Sequence, residues 1–99
     1  LYSMGQLPAA VAMYDECIAI RRRLIEKEGR RELEPDLAKV FMNKGAALAN
    51  MGQLPAAVAM LDEGILIFRR LVEKQGRHDL EQYLNNAIKI RKIVTGTKS

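Results

Sequence analysis

The sequence predicts an all-α fold of helical hairpins stacked in a row, with four full helices and an N-terminal stub. Three observations carry this reading. The run Met4-Gly5-Gln6-Leu7-Pro8-Ala9-Ala10-Val11-Ala12-Met13 recurs unchanged at Met51 to Met60, 47 residues later. Apolar residues return every three or four positions, the spacing of one helix face. Proline and glycine fall where helices begin and end.

The match runs on past the identical stretch. Asp15-Glu16 meets Asp62-Glu63, Arg22-Arg23-Leu24 meets Arg69-Arg70-Leu71, and Gly29-Arg30 meets Gly76-Arg77. A period of this length fits one hairpin per repeat. A single hairpin cannot bury its own apolar face, so neighbours must stack.

Leu1 to Met4 reads as the end of a helix whose first part lies outside the sequence. The next helix spans about 7–28, with Leu7, Val11, Tyr14, Ile18 and Ile25 on one face. Pro8 sits in its first turn, where a missing N–H costs nothing. Gly29 ends it, as a residue able to take positive φ. A helix over about 35–51 starts at Pro35-Asp36, where an acid complements the helix dipole, and stops at Gly52. Residues 54–75 repeat the long helix, between Pro55 and Gly76. The last helix spans about 79–94 with Asp79 as its N-cap, and the polar tail 95–99 is expected to fray.

Ninety-nine residues make one domain, 1–99. A chain with only 5% aromatic residues does not suit a β-sandwich. The net charge of +4 is a mild basic bias, with Glu26, Glu28, Asp62 and Glu73 interleaved among the bases. That mixing argues against the concentrated field a nucleic acid needs. The single cysteine, Cys17, cannot form an internal disulfide, which points to a reduced, cytoplasmic setting. No apolar run reaches the ~18 residues of a membrane span, and no signal peptide is visible.

The stretch from Phe41 to Leu61 resembles a tetratricopeptide repeat. Phe41 takes the aromatic place of that family's pattern, Gly45 its glycine and Leu48 its tyrosine. Ala57 and Leu61 form the later small–large pair, as do Ala10 and Tyr14 in the first copy. Small residues at Gly45, Ala57 and Gly64 would let helices approach closely. Lys44 departs from the family's leucine. Arg69 stands where a helix-ending proline would be, so the second helix runs on and the period exceeds the ~34 residues usual there. Longer repeats of this kind are similar to those of kinesin light chains and spindle-orientation scaffolds. The third copy is degenerate, with Lys92 at the place of Gly45 and Thr95 at that of Leu48.

The resemblance implies an extended peptide bound in a concave groove lined by the first helix of each hairpin. On this chain that face carries Lys39, Met42, Asn43, Ala46, Ala49 and Asn50, then Asn86, Lys89, Ile90 and Ile93, with Tyr2 and Ser3 on the stub. Asparagine amides both donate and accept, as an extended backbone does. Lys39 and Lys89 would favour acidic segments or a carboxylate. The family's carboxylate clamp is not matched, since only Asn43 fits its pattern.

Other conspicuous residues read as structural. His78, the only histidine, lies in a loop with no cysteine cluster for a metal. Cys17 matches Gly64 in the repeat and is expected to be an inert buried thiol. Arg21-Arg22-Arg23 and Arg69-Arg70 stand in the second half of their helices, four residues from Glu26 and Glu73. No phosphate loop, serine triad or carboxylate dyad is present. The sequence therefore points to a protein-binding module with no cofactor, no metal and no catalytic residue. The second reading is a self-associating scaffold fragment, a homodimer with or without exchanged helices, because the first long helix lacks most of its covering partner. Nucleic-acid binding through the arginine-rich helices comes third.

Overall fold

The 47-residue period is visible first in how the two long helices end. Gly29 and Gly76 take φ of +67° and +66°, the left-handed region that glycine enters without a Cβ penalty. One residue further on, the Arg30 amide donates to the Leu24 carbonyl at 3.1 Å and the Arg77 amide to that of Leu71 at 3.0 Å. Each closure leads into a short 3-10 turn, Arg31–Leu33 and His78–Leu80.

The computed structural model describes residues 6–96. The expected stub at 1–4, with Tyr2 and Ser3, and the end of the tail lie outside the described residues. Four helices follow in order: α1 (Gln6–Glu28), α2 (Glu34–Asn50), α3 (Leu54–Gln75) and α4 (Glu81–Thr95). Each packs on the next, and α2 and α4, the two first helices of their hairpins, also touch. Among the described residues there is no strand, so the fold is an all-α helical repeat.

Asp79 does not cap the last helix. The chain spends residues 78–80 in the 3-10 turn, and α4 begins at Glu81 with no side-chain cap. The turn drives Leu80 into the core and leaves Asp79 outside. There it accepts hydrogen bonds from Arg77 Nε and Nη2, both at 3.0 Å. The first copy does the same with Arg30 and Glu32. At the other end α4 includes Thr95, whose hydroxyl donates to the Arg91 carbonyl at 3.0 Å, and Gly96 closes it at φ +71°.

Two apolar clusters lie between successive helices. Ala38, Ile65, Phe68, Leu71, Leu80, Leu84 and Ala87 join α2, α3 and α4. Ile18, Leu37 and Phe41 join α1 to α2. Between α2 and α3 the backbones come close. A Cβ on Gly45 would stand 2.7 Å from Leu61 Cγ and 3.1 Å from the Ala57 carbonyl, and one on Gly64 would stand 3.0 Å from the Ala38 carbonyl. Cys17, the counterpart of Gly64, is half-buried rather than buried, because among the described residues no helix crosses α1 at that place.

Charge pairs tie the helices across their crossings rather than along their lengths. Lys44 of α2 pairs with Asp15 of α1, and Arg91 of α4 pairs with Asp62 of α3. These are the same contact one repeat apart. Lys44, which departs from the leucine of the resembling family, is thus half of a repeated inter-helix bridge. Arg70 Nη2 donates at 2.8 Å to Glu34, the one buried acid among the described residues. Arg22 lies over the Phe41 ring, 5.2 Å from its centroid. Arg22 and Arg70 therefore engage α2, and no bridge to Glu26 or Glu73 forms among the described residues.

Gly45→Ala should lower the unfolding free energy by about 1–3 kcal/mol, because overpacking outweighs the ~1 kcal/mol gain in helix propensity; urea unfolding checks it. The hydrogen bond from Arg77 holds the Asp79 carboxyl below its ordinary range, and the bond from Arg30 does the same for Glu32. A lowered carboxyl pKa adds stability above the unfolded value and loses it as pH falls through the folded one. Both groups are exposed, so the main readout is NMR titration. Both midpoints should lie below those of the same residues in the unfolded chain, and Arg77→Gln should bring Asp79 back up.

Candidate functional site

The residues expected from the sequence to line a groove lie on α2 and α4, which both pack on α3 and touch each other. Helical spacing sets Lys39, Asn43, Ala46 and Asn50 along one side of α2. Asn43 and Asn50 are exposed, while Lys39, Ala46 and Ala49 are half-buried. On α4, Asn86 and Lys89 are exposed, Ile90 is half-buried and Ile93 is 70% exposed. Among the described residues the side-chain amides of Asn43, Asn50 and Asn86 make no hydrogen bond within the chain. They stand ready as both donors and acceptors.

Met42 is placed differently from the rest. It packs against the cluster formed by α2, α3 and α4, so it supports the groove more than it lines it. Lys39 is also partly engaged. Its ammonium lies 4.4 Å from the centroid of the Tyr83 ring, a distance at which the ring's negative face attracts a cation. The charge of Lys39 also helps to hold Asp79 ionised, after the larger effect of Arg77.

Tyr83 is the groove residue that sequence reasoning missed. Its ring stacks on Phe68 of α3, centroids 5.8 Å apart and planes 15° from parallel. It is still 37% exposed. Phe68 anchors Tyr83, and Tyr83 orients Lys39, so a chain of three side chains runs from the core to the groove. In the repeat register Tyr83 falls opposite Asp36, so periodicity hid it. An aromatic in the first turn of a degenerate copy was the one available signal.

His78 lies exposed in its turn with Nδ1 2.7 Å from Glu81 Oε1. Among the described residues no group of three or more His, Cys, Asp or Glu side chains is placed to hold a metal. Among them, too, no helix is long and apolar enough to cross a membrane.

A family model described as tetratricopeptide repeat matches residues 1–29 and 37–79. No curated protein and no solved structure matches the chain. Tyr83→Ala should remove the stack on Phe68 and the seat of Lys39 together, lowering the unfolding free energy by about 1–3 kcal/mol. Urea denaturation of the two proteins measures it.

Proposed function

The chain belongs to the tetratricopeptide repeat family, a family of protein–protein interaction modules, and on that premise we propose that it binds an extended peptide segment along the groove of α2 and α4. One observation carries the reading. The amides of Asn43, Asn50 and Asn86 face solvent from neighbouring first helices with no partner in the chain among the described residues. Repeated amides suit a repeated backbone, because each peptide unit offers one donor and one acceptor.

The side chains around the amides refine the ligand. Ile93 offers an exposed apolar contact beside Lys89. Lys89 is exposed and has no ion pair among the described residues. Lys39 presents its charge from a fixed seat on Tyr83. A segment with an acidic residue near an aliphatic one fits this surface better than a basic one. Steering by two lysines would make its association sensitive to salt.

Peptides selected from a random display library against the chain supply the test. Asn43→Ala should weaken the selected peptides about 3- to 10-fold, the worth of one or two hydrogen bonds. Lys89→Glu should weaken acidic peptides more than neutral ones. Selected peptides indifferent to both substitutions would place binding elsewhere and overturn the groove reading.

A further inference from the structure

On the side of α2 turned away from the groove residues, a cavity of about 140 Å³ opens between α1, α2 and α3. Leu37 and Phe41 line it from α2, while Lys39 and Asn43, two residues further on, face the opposite way. Ile25 of α1 and Ile67 of α3 line it as well. Both isoleucines pack against the cluster of Ile18, Leu37 and Phe41. The cavity is thus bounded on each side by one of the two long helices.

Its lining carries more negative charge than the chain answers. Glu26 of α1 and Glu63 of α3 line it, both exposed, and neither has an ion pair among the described residues. Glu34 of α2 lines it too and is only 8% exposed. Its Oε2 accepts from Arg70 Nη2 at 2.8 Å, and Arg31 Nη1 lies 3.8 Å from it. Its Oε1 accepts no hydrogen bond among the described residues and stays within reach of solvent. A carboxylate has room for about four donors, so a buried one with a single hydrogen bond is short of partners. Arg22, the cation in the lining, lies over the Phe41 ring and bridges none of the three acids.

We infer that this cavity receives an arginine side chain of a partner protein. Among the described residues no three acids are placed to hold a metal ion, so the carboxylates do not converge on one point. The occupant is therefore a cation whose donors spread outward. A guanidinium is flat and points five N–H donors away from its centre, whereas an ammonium is a compact point charge. Its stem finds Ile25, Leu37 and Ile67, since long basic side chains lie along apolar surface. The volume takes one side chain and falls short of the ~300–1,000 Å³ of pockets for whole small ligands. The rest of the partner then lies outside, across α1 and α3. This surface is separate from the groove and does not rest on the peptide reading.

Nα-acetyl-arginine amide is the probe, titrated into the isotope-labelled chain and followed by NMR. Amide signals around Ile25, Glu26, Glu63 and Ile67 should shift and saturate. The citrulline analogue, of the same shape without the charge, should bind about 10-fold more weakly or worse, because charged hydrogen bonds are the stronger ones. The lysine analogue should also bind more weakly. Glu26→Gln and Glu63→Gln should each weaken the arginine probe about 2- to 5-fold, as exposed charges do, and together more than either alone. Both residues are exposed in the single chain, so circular dichroism should show the helices intact. Asn43→Ala, on the groove side, should change nothing, which separates the failure of one surface from that of the other. No saturable shift at any soluble concentration, or binding indifferent to both glutamates, would overturn the inference. A lysine analogue as tight as the arginine one would overturn the choice of guanidinium. Free arginine binding more tightly than the blocked probe would make this a small-molecule site and overturn the partner.

Discussion

Everything in this fold hangs on the crossing of α2 over α3. Gly45 lies against Leu61 and the Ala57 carbonyl, and Gly64 lies against the Ala38 carbonyl. Removing two side chains lets two backbones touch, and the large residues around them fill the space left over. Leu61, Phe68 and Leu71 are the largest fully buried side chains, and all three belong to α3. Interiors are packed as tightly as organic crystals, so such a contact admits one arrangement and not a family of near neighbours. The angle of that hairpin fixes where α1 and α4 can lie, and with them the groove.

The charges follow the same division of labour. Bridges that recur with the period, Asp15–Lys44 and Asp62–Arg91, belong to the repeat and set the spacing between one hairpin and the next. The Asp62–Arg91 bridge is solvated and contributes little energy by itself, while Lys44 is mostly buried. The recurrence of the two bridges gives register: each closes only when its helices slide to the right offset. The Glu34–Arg70 pair is more demanding, because its acid is buried and costs more to leave unpaired. Lys89 of α4 has no ion pair among the described residues.

The two surfaces differ in kind. The groove is polar, with amides, lysines and a single strongly exposed isoleucine, and its best-held member is Tyr83 on Phe68. The outer face of α1 is apolar, with Met13 and Ile20 exposed. The glycine positions explain the separation. Cys17 and Lys92 restore a side chain at the two places where α2 and α3 have none, and these are the faces that no described helix crosses.

The repeated run Met4–Met13 and Met51–Met60 determined the helical hairpins, because helical periodicity and glycine stops act within a few residues. Gly29 and Gly76, and the start of α2 at Pro35, were legible for that reason. That Asn43 and Asn50 share one side of α2 was legible too, since spacing along one helix sets its faces. The role of Tyr83 was not, because its partners Phe68 and Lys39 come from other helices and its repeat counterpart is an aspartate. Nor was the pairing of Arg70 with Glu34, 36 residues away, which looked from sequence like a local bridge. Asp79 looked like a helix cap because the rule for caps is local, and the burial of Leu80 overrode it. Sequence alone thus determined what each helix is and which way it faces. Only the tertiary structure decided which charges meet and which apolar face stays open, because those depend on distances between helices that no spacing along the chain encodes.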